Sequence, residues 1–219
     1  MRRYRHVLVV LLMLVAASVA GEQALRLAAA ARHQAGKQLA AAPDNAASAA
    51  AFTALLPVLR HPRCMNCHSR GDFPRQGDDE HQHTMNVRRG LNGEGVAGLQ
   101  CSTCHQDQNL VGEHMPPGAP GWHLPSPQTP MIWENLSDRQ LCELLKDPAR
   151  NGHRTVKEIV GHMSSPLVRW GWHPGEGRTP IPTPQGDFLA KVKEWAARGA
   201  ACPGETGPTA RTDASPVKE

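Results

Sequence analysis

The sequence predicts a mainly α-helical single domain of short helices and long loops, folded around something larger than its own side chains. Three observations lead there. Aromatic residues make up only 4% of the 219 positions while Gly supplies 20 and Pro 19, a composition that favours turns and leaves few bulky groups for a dense core. Apolar segments with helical spacing are short, and they flank a stretch from 61 to 135 that is almost all turn chemistry. Within that stretch one small pattern occurs twice, as CMNCH at 64–68 and CSTCH at 101–105.

Taken in order, residues 1–20 read as a secretory signal. Arg2, Arg3 and Arg5 form a positive start, Val7 to Val15 an apolar run, and Ser18-Val19-Ala20 a small-residue cleavage pattern. The competing reading, a retained anchor, is disfavoured because the uncharged run from Val7 to Gly21 is shorter than a membrane span. The formal charge is +4, and losing those three arginines with the leader leaves about +1, so nothing points to a nucleic-acid partner. Residues 21–45 form an Ala-rich tether broken at Pro43. Residues 46–203 are the domain, and 204–219 a loose tail.

The domain begins with one helix over 46–60, carrying Phe52, Leu55, Leu56 and Leu59 on one face. After the irregular stretch, Ser137 with Gln140 starts a helix that Pro148 stops, and Thr155 with Glu158 starts a second. A last helix is expected with Thr183 as N-cap, Pro184 at its first position, a buried stripe of Phe188, Val192 and Trp195, and Gly199 as the stop. Trp170 and Trp172 are expected against the core or the edge of a bound group.

Cys-x-x-Cys-His is the attachment pattern of c-type haem: two thiols form thioethers to the porphyrin, and the adjacent imidazole is placed under the iron. Cys64, Cys67 and His68 then hold one haem; Cys101, Cys104 and His105 hold the other. A zinc site is the main competitor. Against it, 33 residues separate Cys67 from Cys101, longer than zinc-ribbon spacing, and zinc does not call for His after both pairs. Because the motifs start 37 residues apart, both haems must share one cytochrome-c-like domain.

Sixth ligands are open. His33, His61, His81, His83, His114, His123, His153, His162 and His173 are available beyond the proximal pair, with Met65, Met85, Met115, Met131 and Met163. His83 lies between the motifs, His162 on a helix, and Met115 before a rigid Pro116-Pro117 pair; these are the three candidates, in that order. Cys142 and Cys202 fall outside the motifs. In an exported chain they are expected to pair as a disulfide, with cysteine ligation of haem as the alternative.

From Pro57 to Pro203 the sequence also resembles a family of small exported dihaem cytochromes c commonly labelled isoquinoline 1-oxidoreductase subunit. The stretches that carry the resemblance are HPRCMNCH, QGDDEHQHTMNV, GLQCSTCHQDQN, PPGAPGWHLP, LCELLKDPARNG, LVRWGWHPG and GAACP. The resemblance implies the same six attachment and proximal residues and adds weight to His83 and His162. It also implies association with a molybdenum hydroxylase. This chain has no molybdopterin or iron–sulfur signature, so it could be the electron-accepting subunit and not the hydroxylase itself.

The expectation is therefore a periplasmic protein with two c-type haems, carrying single electrons between a dehydrogenase or hydroxylase and a respiratory acceptor, with no catalytic residues of its own. The alternative is a dihaem enzyme, a peroxidase or small-anion oxidoreductase, in which one haem keeps an open position.

Overall fold

The computed structural model describes residues 44–204, together with residues 23 and 25–28, which are helical and exposed. The chain divides into Met1–Ala42 and Pro43–Glu219. The expected signal, the body of the expected tether and residues 205–219 lie outside the described residues. Among the described residues no helix is long and apolar enough to cross a membrane.

The architecture is helical with very little sheet. Helix α1 (Asn45–Thr53) opens with the Asp44 carboxylate accepting from the Ala47 amide at 3.0 Å. It does not run on to residue 60. Pro57 cannot continue the amide ladder and crowds the turn before it, so the backbone tightens, Leu55 N–H donating to Phe52 O at 2.8 Å, before α2 (Leu56–Leu59) resumes. Phe52, Leu55 and Leu59 still enter the core and Leu56 packs against its edge. One-turn helices α3 (Pro62–Met65) and α4 (Cys101–Cys104) carry the two motifs.

Two hairpins occupy the irregular stretch, which the sequence pattern did not disclose because each strand has only two residues. β1 (Arg75–Gln76) pairs antiparallel with β2 (His81–Gln82), and β3 (Gly95–Val96) with β4 (Leu99–Gln100). Both are placement devices: β2 ends next to His83, and β4 runs straight into Cys101.

The second half is built from four helices around one core, two of them with side-chain caps. α5 (Asp138–Lys146) and α6 (Val156–His162) both start with full capping boxes: Ser137 with Gln140 at 3.2 and 2.8 Å, Thr155 with Glu158 at 3.3 and 2.8 Å. α7 (Pro166–Arg169) is a single turn. α8 (Gln185–Ala197) begins one residue later than its sequence suggests, with Pro184 as the cap. The reason is nearby: the Thr183 carbonyl accepts the Trp172 indole N–H at 2.6 Å, which holds Thr183 outside the helix. Gly199 ends α8 at φ +101, a conformation costly for other residues.

α8 packs against α1. Ser48 Oγ donates to Trp195 O and accepts from Ala201 N–H, each at 2.9 Å, and Phe52 meets Trp195 at 5.4 Å between ring centres. Cys142 in α5 is bonded to Cys202 beyond α8, with S–S 2.02 Å and Cα–Cα 5.6 Å. Closing a loop of 60 residues restricts the unfolded chain by about 4 kcal/mol on the chain-entropy account. Replacing both cysteines with serine is expected to lower thermal stability by that order in calorimetry and leave the visible spectrum unchanged. A shifted spectrum would revive cysteine ligation.

Candidate cofactor site

Each motif forms one helical turn, which is what brings its two thiols to one side and turns the following His inward. Cys67 N–H and His68 N–H both reach Cys64 O at 3.2 Å, and His105 N–H reaches Cys101 O at 2.9 Å. His61 caps the first turn, its Nδ1 accepting from Arg63 N–H at 3.2 Å, so it is a local structural residue.

Beside each motif lies a large cavity. The first, about 530 Å³, is lined by Cys64, Cys67 and His68 on one hand and by His162 and Met163 on another. The second, about 650 Å³, is lined by Cys101, Cys104 and His105 and by His83 and Met85. The first is walled by core side chains, among them Val58, Leu59, Leu145, Ile159 and Phe188. Thus the hydrophobic core closes around this cavity.

The two motif histidines are held by the same device. His68 Nδ1 lies 2.9 Å from Met131 O, and His105 Nδ1 lies 2.7 Å from Pro117 O. A carbonyl can only accept, so Nδ1 carries the proton and Nε2 keeps its lone pair free for a metal. Each imidazole also lies flat on a tryptophan: His68 on Trp133 at 3.7 Å and 1°, His105 on Trp122 at 4.5 Å and 5°. The surrounding backbone is fixed as well, with Trp133 N–H donating to His68 O at 2.8 Å. On the other side, Asn109 Oδ1 accepts from both Gly118 N–H and Trp170 Nε1–H at 3.0 Å. Gly118 is required there, since a Cβ would lie 2.2 Å from Gln108 O.

Burial sets the protonation of this chemistry. It pushes the His68 imidazole down to about 3, only partly offset by the Met131 carbonyl, and His162 down to about 4, aided by the nearby Arg154 charge. His105 is lowered for the same first reason. Burial pushes the Cys64 thiol up to about 12 and Cys67 to about 11, and raises Cys101. The imidazoles are therefore neutral and ready to ligate, while the buried thiols stay protonated and are poor thiolate ligands. Among the described residues no three His, Cys, Asp or Glu side chains gather as a metal-ion site.

The candidate sixth ligands fall differently. His83 donates Nδ1–H to Thr84 O at 2.7 Å, and its ring centre is 6.1 Å from that of His105, at 71°. An imidazole nitrogen lies about 2.0 Å from a bound metal, so two imidazoles across one metal have ring centres roughly 6.3 Å apart. His83 and His105 fit that spacing. His162 reaches the first cavity from the last turn of α6. Met115 is 42% exposed, does not line either cavity, and instead offers its carbonyl to Arg178 Nη2 at 2.8 Å. His81 is exposed at the rim of the second cavity and bonded to Asp79 at 2.6 Å.

The cavities share a wall made of Arg63, Cys67, Trp122, His123 and Trp170. Trp122 meets Trp170 edge-on at 4.9 Å, and the Arg63 guanidinium lies 5.8 Å over the Trp170 ring. Trp170 lies in the wall shared by the two cavities, and Trp172 packs on the core residue Phe188 at 5.5 Å, as expected for a tryptophan against the core. The tryptophan platforms under His68 and His105, their two carbonyl acceptors and Arg63 had no signal in the sequence.

Compared with family models, curated proteins and solved structures, the chain matches none.

Proposed function

We propose that the chain is an exported dihaem c-type cytochrome that carries single electrons between a dehydrogenase or hydroxylase and a respiratory acceptor. The observation that carries this reading is the repetition: two Cys-x-x-Cys-His turns, each beside its own large cavity, each with an imidazole that lines that cavity and has Nδ1 tied to a backbone carbonyl. Cys64, Cys67 and His68 would hold one haem, with His162 as sixth ligand. Cys101, Cys104 and His105 would hold the other, with His83.

A c-type haem supplies a one-electron iron couple. The chain's own residues do the rest. The carbonyls of Met131 and Pro117 fix the proximal tautomers and raise the basicity of the ligating nitrogens. Trp133 and Trp122 hold the imidazole planes, which leaves the ligand field insensitive to side-chain motion. The apolar wall of the first cavity excludes water, and the shared wall keeps the two centres adjacent. The resemblance adds a proposed physiological donor, a molybdenum hydroxylase for which this chain accepts electrons.

Mass spectrometry of the periplasmic protein is expected to give a polypeptide lacking residues 1–20 and carrying two covalent haems. A mass equal to bare polypeptide overturns the proposal. Electron paramagnetic resonance of the oxidised protein is expected to give two low-spin ferric signals, whereas a stable high-spin signal would favour the dihaem enzyme.

A further inference from the structure

We infer that Arg63 sets the potentials of both centres together, while Arg154 acts on the first centre alone and Arg178 on the second alone. The inference rests on both cavities being haem sites, and begins from how arginines are divided between them. Among the described residues, Arg63 and Arg154 are the arginines lining the first cavity, and Arg63, Arg75 and Arg178 those lining the second. Arg63 is therefore the one permanently charged side chain in the wall common to both.

The Arg63 side chain is 1% exposed. It stands in the turn that carries Cys64, with its guanidinium 5.8 Å over the Trp170 ring. The guanidinium's hydrogen bonds all leave from Nη2, to Gly77 O at 2.9 Å and to the Asp78 carboxylate. Nε is buried with no partner. A guanidinium stays protonated in proteins, so a full charge is held away from water with only one of its nitrogens matched. Asp78 offsets it only in part. That carboxylate is 44% exposed and shared with Thr179, whose N–H and Oγ1–H donate to Asp78 Oδ2 at 3.1 and 2.6 Å. Water and salt screen its field more than that of the buried arginine. The other charges of the second cavity are bonded to one another or to neighbours, Arg75 to Glu134 at 2.8 Å and Asp79 to His81 at 2.6 Å.

A fixed positive charge disfavours oxidised iron, which carries one more positive charge than reduced iron, so it raises a one-electron potential. At roughly 10 Å and an effective dielectric of about 20, one unit charge changes such an equilibrium on the order of tenfold. Arg63 moves both couples in the same direction and leaves the gap between them nearly unchanged. Its role is to set the level at which the pair meets its donor and acceptor. The gap, which decides which centre holds the electron, falls to the two unshared arginines. Arg154 donates to Asn151 O at 3.2 Å and Arg178 to Met115 O at 2.8 Å, neutral acceptors that leave both charges in force.

The test uses the full-length holoprotein after its covalent haem content has been measured. Potentiometry followed by electron paramagnetic resonance gives the two couples. Arg63→Gln is expected to lower both reduction equilibria by about tenfold, which is about 59 mV for each one-electron couple. Arg63→Lys is expected to restore both. Asp78→Asn is expected to raise both by a smaller factor, about threefold. Arg154→Gln should lower one couple alone, and Arg178→Gln the other.

An Arg63→Gln protein in which one couple moves alone, or neither moves, overturns the shared role. So does Arg63→Lys shifting the couples as far as Arg63→Gln, which would make the residue a structural prop. If Arg63→Gln does not fold, Asp78→Asn decides, and couples that stay in place overturn the inference. Both couples moving together in Arg154→Gln or Arg178→Gln overturns the division between shared and private charges. A chain without covalent haem overturns both the tuning role and the cytochrome reading.

Discussion

Replacing Cys64, Cys67, Cys101 and Cys104 together with alanine is expected to abolish cooperative folding. The first cavity is walled by the same side chains that form the core: Val58, Leu59, Ile159 and Phe188 are each 2% exposed or less. If nothing fills that space, their inner faces lose both contacts and shelter from water. At about 24 cal/mol per Å³ of unfilled volume, 530 Å³ sets an upper bound of ~13 kcal/mol, as large as the whole stability of an ordinary domain. The second cavity adds to the deficit. The disulfide returns about 4 kcal/mol at most and cannot offset it. Circular dichroism and thermal melting of the purified variant check this; a sharp transition near that of the native protein would show that the chain fills its own core and needs no haem.

His83→Ala is expected to convert one of the two centres from low to high spin and to raise its potential, with His162→Ala doing the same at the other. Axial ligands set haem potentials over a range of ~0.8 V, so losing an imidazole should move one couple by the order of a tenth of a volt. The two histidines line different cavities, so their effects should add in the double variant. Potentiometry with electron paramagnetic resonance separates the centres. If a variant stays low-spin, the replacement ligand is predicted by position: Met163 lines the first cavity and Met85 the second. Unaltered spectra in both single variants would exclude the paired-imidazole assignment.

The parts of this protein that were legible in the sequence are those encoded within a few residues. The two capping boxes depend on side chains three positions apart and the stop at Gly199 on a single residue free to take positive φ, and each stands where its pattern puts it. Features that depend on distant partners were not legible. His68 finds its acceptor 63 residues later at Met131, and its stacking partner at Trp133. The late start of α8 has the same origin, since the Trp172 indole competes for the backbone at Thr183. The break before α2 was readable from Pro57 alone, because a missing amide is a local fact. His83 and His162 could be shortlisted from the sequence, but the 6.1 Å approach of His83 to His105 depends on a hairpin whose strands are too short to show alternation. Met115 stood third on the strength of a proline context that is visible in the sequence, while its 42% exposure is not.

The union of α1 with α8 has a consequence for maturation. Ser48 and Trp195 are 147 residues apart, and the same closure lays Phe188 over a cavity whose opposite wall includes Val58 and Leu59. The N-terminal helix is synthesised first, yet the surface it packs on is not complete until the final helix follows. On the proposed cytochrome reading, the first motif therefore stays on an open chain through most of synthesis, within reach of whatever machinery would form thioethers. On the cytochrome reading, the native fold shuts the door behind its cofactor: attachment has a time window that ends when the last turn of α8 docks.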